Sequence, residues 1–159
     1  MKRALFLWLF LPISLSCAFG QNTPLDDCAR TARMRIYSDA FVSEETGDLG
    51  GYELALDRRN DSAVHGLLYV YQGGPSDGIP LTGRVTGNRV RLEGDWVLHV
   101  TEYPSGKQIT EKRFVRVVGT AGSAAFQGTV SFESLTPERL RLKRVKNIWL
   151  CASQTEQGR

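Results

Sequence analysis

Short segments of alternating apolar and polar residues, separated by tight turns, run through most of this sequence. Val90 and Leu92, for example, alternate with charged residues, which is the two-residue period of a half-buried β-strand. Residues 104–107 (PSGK) have the composition of a hairpin turn. The pattern predicts about eight strands, at residues 32–37, 52–57, 63–72, 79–85, 89–103, 108–118, 124–133 and 139–145.

Short turns between successive strands require antiparallel neighbours. An up-and-down meander of about eight strands usually removes its exposed edges by closing. We therefore predict an all-β fold: an antiparallel meander that forms a closed or nearly closed barrel with a calycin-like architecture. The alternation assigns these residues to the inner face: Val90, Leu92, Phe126, Gly128, Val130, Phe132, Leu140 and Leu142.

The first twenty residues have the three parts of a secretory signal peptide. A basic start at Lys2 and Arg3 precedes an uncharged run over residues 4–13, and small residues follow. The run is shorter than the roughly 20 residues that a membrane-spanning helix needs. We predict a signal peptide over residues 1–20, a mature chain that starts at Gln21, and a periplasmic or secreted protein. Lipidation at Cys17 is the less favoured alternative.

Export permits disulfide bonds, and the predicted mature chain keeps two cysteines, Cys28 and Cys151. We expect them to form one bridge between the two ends of the domain. Residues 21–31 are expected to be an extended leader, although a short helix over 28–34 is an alternative. Residues 32–151 form the predicted single barrel domain, and residues 152–159 a flexible tail.

Charge is unevenly distributed along the predicted mature chain. Residues 21–80 contain 5 basic and 10 acidic residues, whereas residues 81–159 contain 13 basic and 7 acidic residues. The densest basic run includes Arg139, Arg141 and Lys143, which form a candidate basic strand face. An exported protein rarely meets nucleic acid, so we expect a protein partner or an anionic glycan or lipid surface.

A glycine-rich loop is the second candidate binding element, with Gly73, Gly74, Ser76 and Asp77 as its candidate residues. Residues 74–78 (GPSDG) match the G-x-S-x-G pattern of a hydrolase nucleophile. That chemistry requires a helix after the serine, and a strand pattern with a proline follows here. His65 and His99 both fall in predicted strands. We expect no catalytic, metal-binding or cofactor-binding residues.

Residues 94–96 (GDW) resemble the G-x-W motif of lipocalins. In that family the motif lies in the first strand, whereas here it lies in the middle of the chain. The resemblance to calycin-type barrels therefore concerns architecture alone and implies no ligand site.

These observations predict an exported, non-enzymatic binding protein that recognises a macromolecular partner through barrel loops or a basic strand face, as an inhibitor or envelope accessory protein would. The alternative is a carrier that holds an apolar small molecule inside the barrel. Such a cavity would be lined by Leu68, Val70, Leu92, Leu98, Val115 and Phe132.

Overall fold

The computed structural model describes residues 24–58 and 62–152. Within them the chain forms one helix and nine strands. The elements are α1 (Pro24–Thr31), β1 (Arg35–Ser38), β2 (Phe41–Val42), β3 (Leu49–Arg58), β4 (Ala63–Gly73), β5 (Ile79–Thr86), β6 (Arg89–Glu102), β7 (Lys107–Ala121), β8 (Ala125–Phe132) and β9 (Glu138–Val145). The strand-and-turn pattern of the sequence is thereby confirmed.

Eight of the strands close into an antiparallel barrel, as predicted. Strands β3 to β9 pair in chain order, and β1 closes the ring by pairing with both β3 and β9. The extra strand β2 pairs with Leu49 and Gly50 of β3, beyond the point where β1 ends. The sequence contained no separate signal for this two-residue strand, and β3 begins three residues before the strand predicted at 52–57.

The barrel interior is filled by one packed apolar cluster. All the inward positions predicted from alternation face it, and Gly128 lies opposite Gly119 of β7. A β-carbon on either glycine would collide with the other strand and with the ring of Phe126. These two glycines therefore make room for a phenylalanine of the protein itself. The cluster comprises Tyr37, Leu54, Leu56, Val64, Leu68, Val70, Ile79, Leu81, Val85, Val90, Leu92, Val115, Val117, Ala121, Phe126, Val130, Phe132, Leu140 and Leu142.

Two tyrosines place their hydroxyls near the ends of this interior. Tyr37 donates a hydrogen bond to the carbonyl oxygen of Gly122 at 2.8 Å, and Tyr52 donates one to Glu138 Oε2 at 2.7 Å. Burial and the Glu138 carboxylate raise the pKa of Tyr52. Both rings therefore extend the core while their polar atoms remain satisfied.

A second apolar cluster lies outside the barrel, against β3 and β4. Ala55, Leu67, Tyr69 and Tyr71 point outward from these strands and are covered by the chain near Ile148 and Trp149. Both faces of β3 and β4 are therefore buried, which explains why the sequence of β4 is apolar almost without interruption.

Glu53 is the buried carboxylate of this outer cluster, with 1% of its surface exposed. It accepts a hydrogen bond from the Tyr71 hydroxyl at 2.6 Å, and both its oxygens accept from the backbone nitrogen of Trp149, at 2.9 and 3.0 Å. Burial raises the pKa of Glu53, while these bonds and one from Ser38 act in the opposite direction. Glu53 thus fixes the start of a helical turn over residues 149–152 to the barrel wall.

The predicted disulfide between Cys28 and Cys151 is present, and it joins α1 to this C-terminal turn. The expectation of an extended leader over residues 21–31 was wrong for its described part, because Pro24–Thr31 forms a helix. Proline is well suited to the first turn of a helix, and the bond through Cys28 holds the segment near the wall. The predicted signal peptide and tail lie outside the described residues, apart from residue 152. In the described part of the chain, no helix has the length and apolar character needed to cross a membrane.

Candidate functional site

The hairpin of β6 and β7 extends well beyond the rest of the barrel. β5 pairs with β6 only as far as Glu93, and the β7–β8 ladder starts at Val115. β6 and β7 nevertheless remain paired with each other up to Glu102 and Lys107. We call residues 97–112 the arm. Its six residue pairs give it a length of about 20 Å.

The root of the arm is held firmly against the barrel. The Trp96 ring packs on Phe132 with a centroid separation of 5.5 Å. The backbone of Phe114 accepts a hydrogen bond from the Glu133 nitrogen at 2.9 Å, and the Arg116 guanidinium lies 5.3 Å from the centre of the Phe114 ring. The arm therefore projects from a rigid base.

The tip of the arm is a compact turn. The Gly106 nitrogen donates a hydrogen bond to the Glu102 carbonyl oxygen at 2.9 Å, and Gly106 has a φ of 68°, a conformation that favours glycine. Ser105 Oγ also lies within hydrogen-bonding distance of Glu102. Tyr103, which precedes a cis proline, is 94% exposed. The turn thus presents an aromatic ring to solvent.

Exposed apolar side chains are concentrated at the end of the barrel that carries the arm. We call this the arm end; it also includes the loops at residues 39–48, 73–78 and 133–137. Among the described residues, all the exposed large hydrophobic side chains except Val118 lie on the arm or at this end. Such a concentration is typical of an interaction surface. The residues are Phe41, Val42, Val97, Val100, Tyr103, Phe114 and Leu135.

The loop that the sequence singled out lies beside the root of the arm. Ser76 Oγ accepts a hydrogen bond from the Val70 nitrogen at 3.2 Å, so the loop folds back onto β4. Ser76 and Asp77 line a cleft of about 320 Å³ whose other wall includes Trp96 and His99. Gly73 and Gly74 precede this cleft, and Gly73 has a φ of 98°. The structure therefore brings the loop and the arm into one site.

Ser76 and His99 share this cleft, but in the described part of the chain no hydrogen bond joins them. His99 Nδ1 instead lies 3.3 Å from Thr110 Oγ1 across the arm. His65 lies on the barrel wall, lining a separate cleft with Arg30. Within residues 24–58 and 62–152, no group of three histidine, cysteine or acidic side chains is arranged to hold a metal ion.

The predicted basic strand face is exposed on the outer surface of β9. Register across the sheet places further basic residues outward on β5, β6 and β7. We call this set the basic wall, and it occupies more than half of the barrel's circumference. Its members are Arg84, Arg89, Arg91, Arg116, Arg139, Arg141 and Lys143.

Glu93 lies within the basic wall and binds two of its arginines. Its Oε1 lies 2.9 Å from both Arg91 and Arg116, and these contacts lower the pKa of Glu93. β8 contributes neutral side chains, including Gln127 and Thr129. The sequence indicated only the β9 part of the wall, although the alternating arginines of β6 carried the same signal.

The fold and site together define a closed eight-stranded barrel with a projecting two-stranded arm. Comparisons with protein families, curated proteins and solved structures found no match for this chain.

Proposed function

We propose that this protein is an exported, non-enzymatic binding protein that recognises a partner protein through its arm. The observation that carries the proposal is the extension of β6 and β7 past their neighbours in the sheet. Along the arm, each strand has one side with no ladder partner among the described residues. Open edges of this kind are templates for pairing with another chain.

A free two-stranded hairpin is only marginally stable in water. A third strand would satisfy the open backbone groups of one edge and cover apolar side chains, which is the common mode of β-strand addition. The β6 edge is the better candidate, because Val97, Leu98 and Val100 supply apolar side chains along it. A strand added there would continue the sheet beyond the start of β5 at Ile79.

The position of the cleft beside the loop also favours the β6 edge as the place where a partner strand is added. It opens between the loop and the root of β6, so an added strand would run from the arm towards Ser76 and Asp77. The proposed partner therefore offers an extended segment with alternating apolar side chains. The filled barrel interior favours this surface mode over the carrier alternative.

Two exposed valines provide a matched test. Val100 on the arm is 39% exposed, and Val118 on the barrel wall is 42% exposed. A photocrosslinking amino acid at position 100 should give one adduct of defined mass in cells that produce the protein, and position 118 should not. With the adducted partner purified, Val100→Lys should weaken binding and Val118→Lys should not.

Hydrogen exchange then tests the mode of binding. Of the amides of residues 97–102, those that point away from β7 should become protected in the complex if a strand is added at the β6 edge. Equal crosslinking at both positions, or unchanged exchange along this edge, would contradict the proposal. An adduct with twice the mass of the chain would identify the partner as a second copy.

The exported part of the proposal is supported by the signal-peptide pattern of residues 1–20 and by the Cys28–Cys151 bond. The natural protein should begin at Gln21 when its intact mass is measured. A diacylated Cys17 at the N-terminus would contradict a free mature protein and would support the lipid-anchored alternative.

The basic wall favours a second candidate function, the binding of an anionic glycan or lipid surface. Its basic side chains surround one acidic residue, Glu93, and a flexible polyanion could follow the curved surface. Binding to heparin should weaken as the salt concentration rises. It should also weaken in the double variant Arg139→Gln/Arg141→Gln. Salt-independent binding, or no effect of these substitutions, would contradict this function. Lys107→Gln, at the distant tip of the arm, is the control.

A further inference from the structure

The end of the barrel opposite the arm has a different character. Here the core does not close completely, and a cleft of about 300 Å³ opens between the start of β1, the end of β3 and the β5–β6 turn. This volume lies at the lower end of the range for small-molecule sites. We call this cleft the basic mouth.

Apolar side chains form the floor of the basic mouth. They are inward residues at or near the ends of their strands, and each is at least 90% buried. They belong to the packed interior, so a ligand would rest on the core without entering it. The floor residues are Leu56, Val64, Val85, Val90 and Ala121.

The rim of the basic mouth carries an excess of positive charge. Among the described residues, three arginines, Arg33, Arg35 and Arg58, line it, and Asp57 is the one acidic lining residue. Arg33 and Arg35 have no ion-pair partner among the described residues. Arg35 lies on the inward face of β1, because it pairs with Leu56 and is two residues from Tyr37, which is buried in the interior.

We propose that the basic mouth binds a small organic carboxylate with a short apolar body. A guanidinium presents a planar pair of N–H donors that matches a carboxylate. The apolar body would cover the valines and the alanine of the floor. An inorganic anion would make no apolar contact with this floor, and a neutral apolar molecule would make no contact with the arginines.

The site is separate from the surface proposed for the partner protein. It lies at the end of the barrel where β6 begins, whereas the arm lies where β6 ends. The two binding events can therefore be tested independently, and failure of one proposal leaves the other intact.

Octanoate is a suitable probe, with octyl glucoside as the neutral probe and sulfate as the probe without an apolar body. In an NMR titration, octanoate should shift the amide signals of Val90 and Ala121. Octyl glucoside and sulfate should bind at least about tenfold more weakly, since each lacks one of the two contacts. Equal affinity for either control probe would overturn the proposal.

Two variants test the role of the rim. Arg35→Gln should weaken octanoate binding by about tenfold, and Arg33→Gln should act in the same direction. Arg33 lies outside the sheet, so its variant separates loss of binding from loss of the fold. Arg113→Gln removes the same charge at the opposite end of the barrel and should leave the affinity unchanged. Equal weakening by Arg113→Gln would overturn the proposal.

Discussion

Two neighbouring tyrosines on β4 allow the outer cluster to be tested with one chemical change. Tyr71 donates a 2.6 Å hydrogen bond to the buried carboxylate of Glu53. The Tyr69 hydroxyl is also buried; burial and the nearby Asp27 carboxylate raise its pKa, but no hydrogen bond of ordinary geometry joins it to a described residue. Phenylalanine at either position removes the hydroxyl and keeps the ring in the cluster.

Tyr71→Phe should lower the free energy of unfolding by about 1.5 to 3 kcal/mol at neutral pH, the usual contribution of a hydrogen bond to a charged group. Tyr69→Phe should change it little, or raise it by up to about 1 kcal/mol, because an unsatisfied buried hydroxyl is removed. Urea unfolding of both variants, with the disulfide intact, measures the difference.

The effect of Tyr71→Phe should also depend on pH. Near pH 4 Glu53 is largely protonated in the folded protein, since burial raises its pKa above the ordinary value. The lost bond is then between neutral groups, and its cost should fall to about 0.5 to 1.5 kcal/mol. Equal costs for Tyr71→Phe and Tyr69→Phe at neutral pH would refute this account of the cluster.

Three further predictions concern the remaining supports of the fold. Replacing Cys28 and Cys151 with serine should lower the unfolding free energy by up to about 5 kcal/mol in chain-entropy terms, because the bond spans 123 residues; an effect below about 1 kcal/mol would contradict this. Gly119→Ala should cost about 1 to 3 kcal/mol by forcing β7 and β8 apart, whereas Gly74→Ala, which meets open space, should be neutral in the same urea assay. Because burial raises the pKa of Glu53, its contribution to the free energy of unfolding is greatest at low pH and falls as the pH rises through the folded-state pKa. Between about pH 4 and pH 7, the Glu53→Gln variant should therefore lose less stability than the unchanged protein does. An unchanged pH profile would contradict that assignment.

Most strand positions could be predicted because hairpins are local. The residues that specify the turn at 104–107 adjoin the two strands that it joins, and the alternation of Val90 and Leu92 follows from the two-residue period alone. The helix at Pro24–Thr31 could not be predicted with the same security. An eight-residue helix is marginal by itself, and here the bond through Cys28 holds it to the barrel.

The candidate site was predictable only in part. The loop containing Ser76 and Asp77 was recognisable from its glycines, and the β9 arginines from their spacing. The arm could not be predicted from the sequence, because β6 and β7 have the pattern of ordinary long strands. Their projection is evident only when the ends of the neighbouring strands β5 and β8 are known. The basic mouth could not be predicted either, because Arg35 and Arg58 belong to strands that become neighbours only when β1 closes the barrel.

The sequence alone thus determined the strand order, the antiparallel pairing, the pairing of the two cysteines of the predicted mature chain, and the inward face except at Leu98, which lies on the arm and not in the barrel interior. These properties depend on periodicity, on short turns and on the number of cysteines available. Only the tertiary structure decided that the interior is filled, that the arm projects and that arginines converge at the opposite mouth. These features depend on where one strand ends relative to its neighbours, and that offset is fixed by packing around the closed barrel rather than by any local segment.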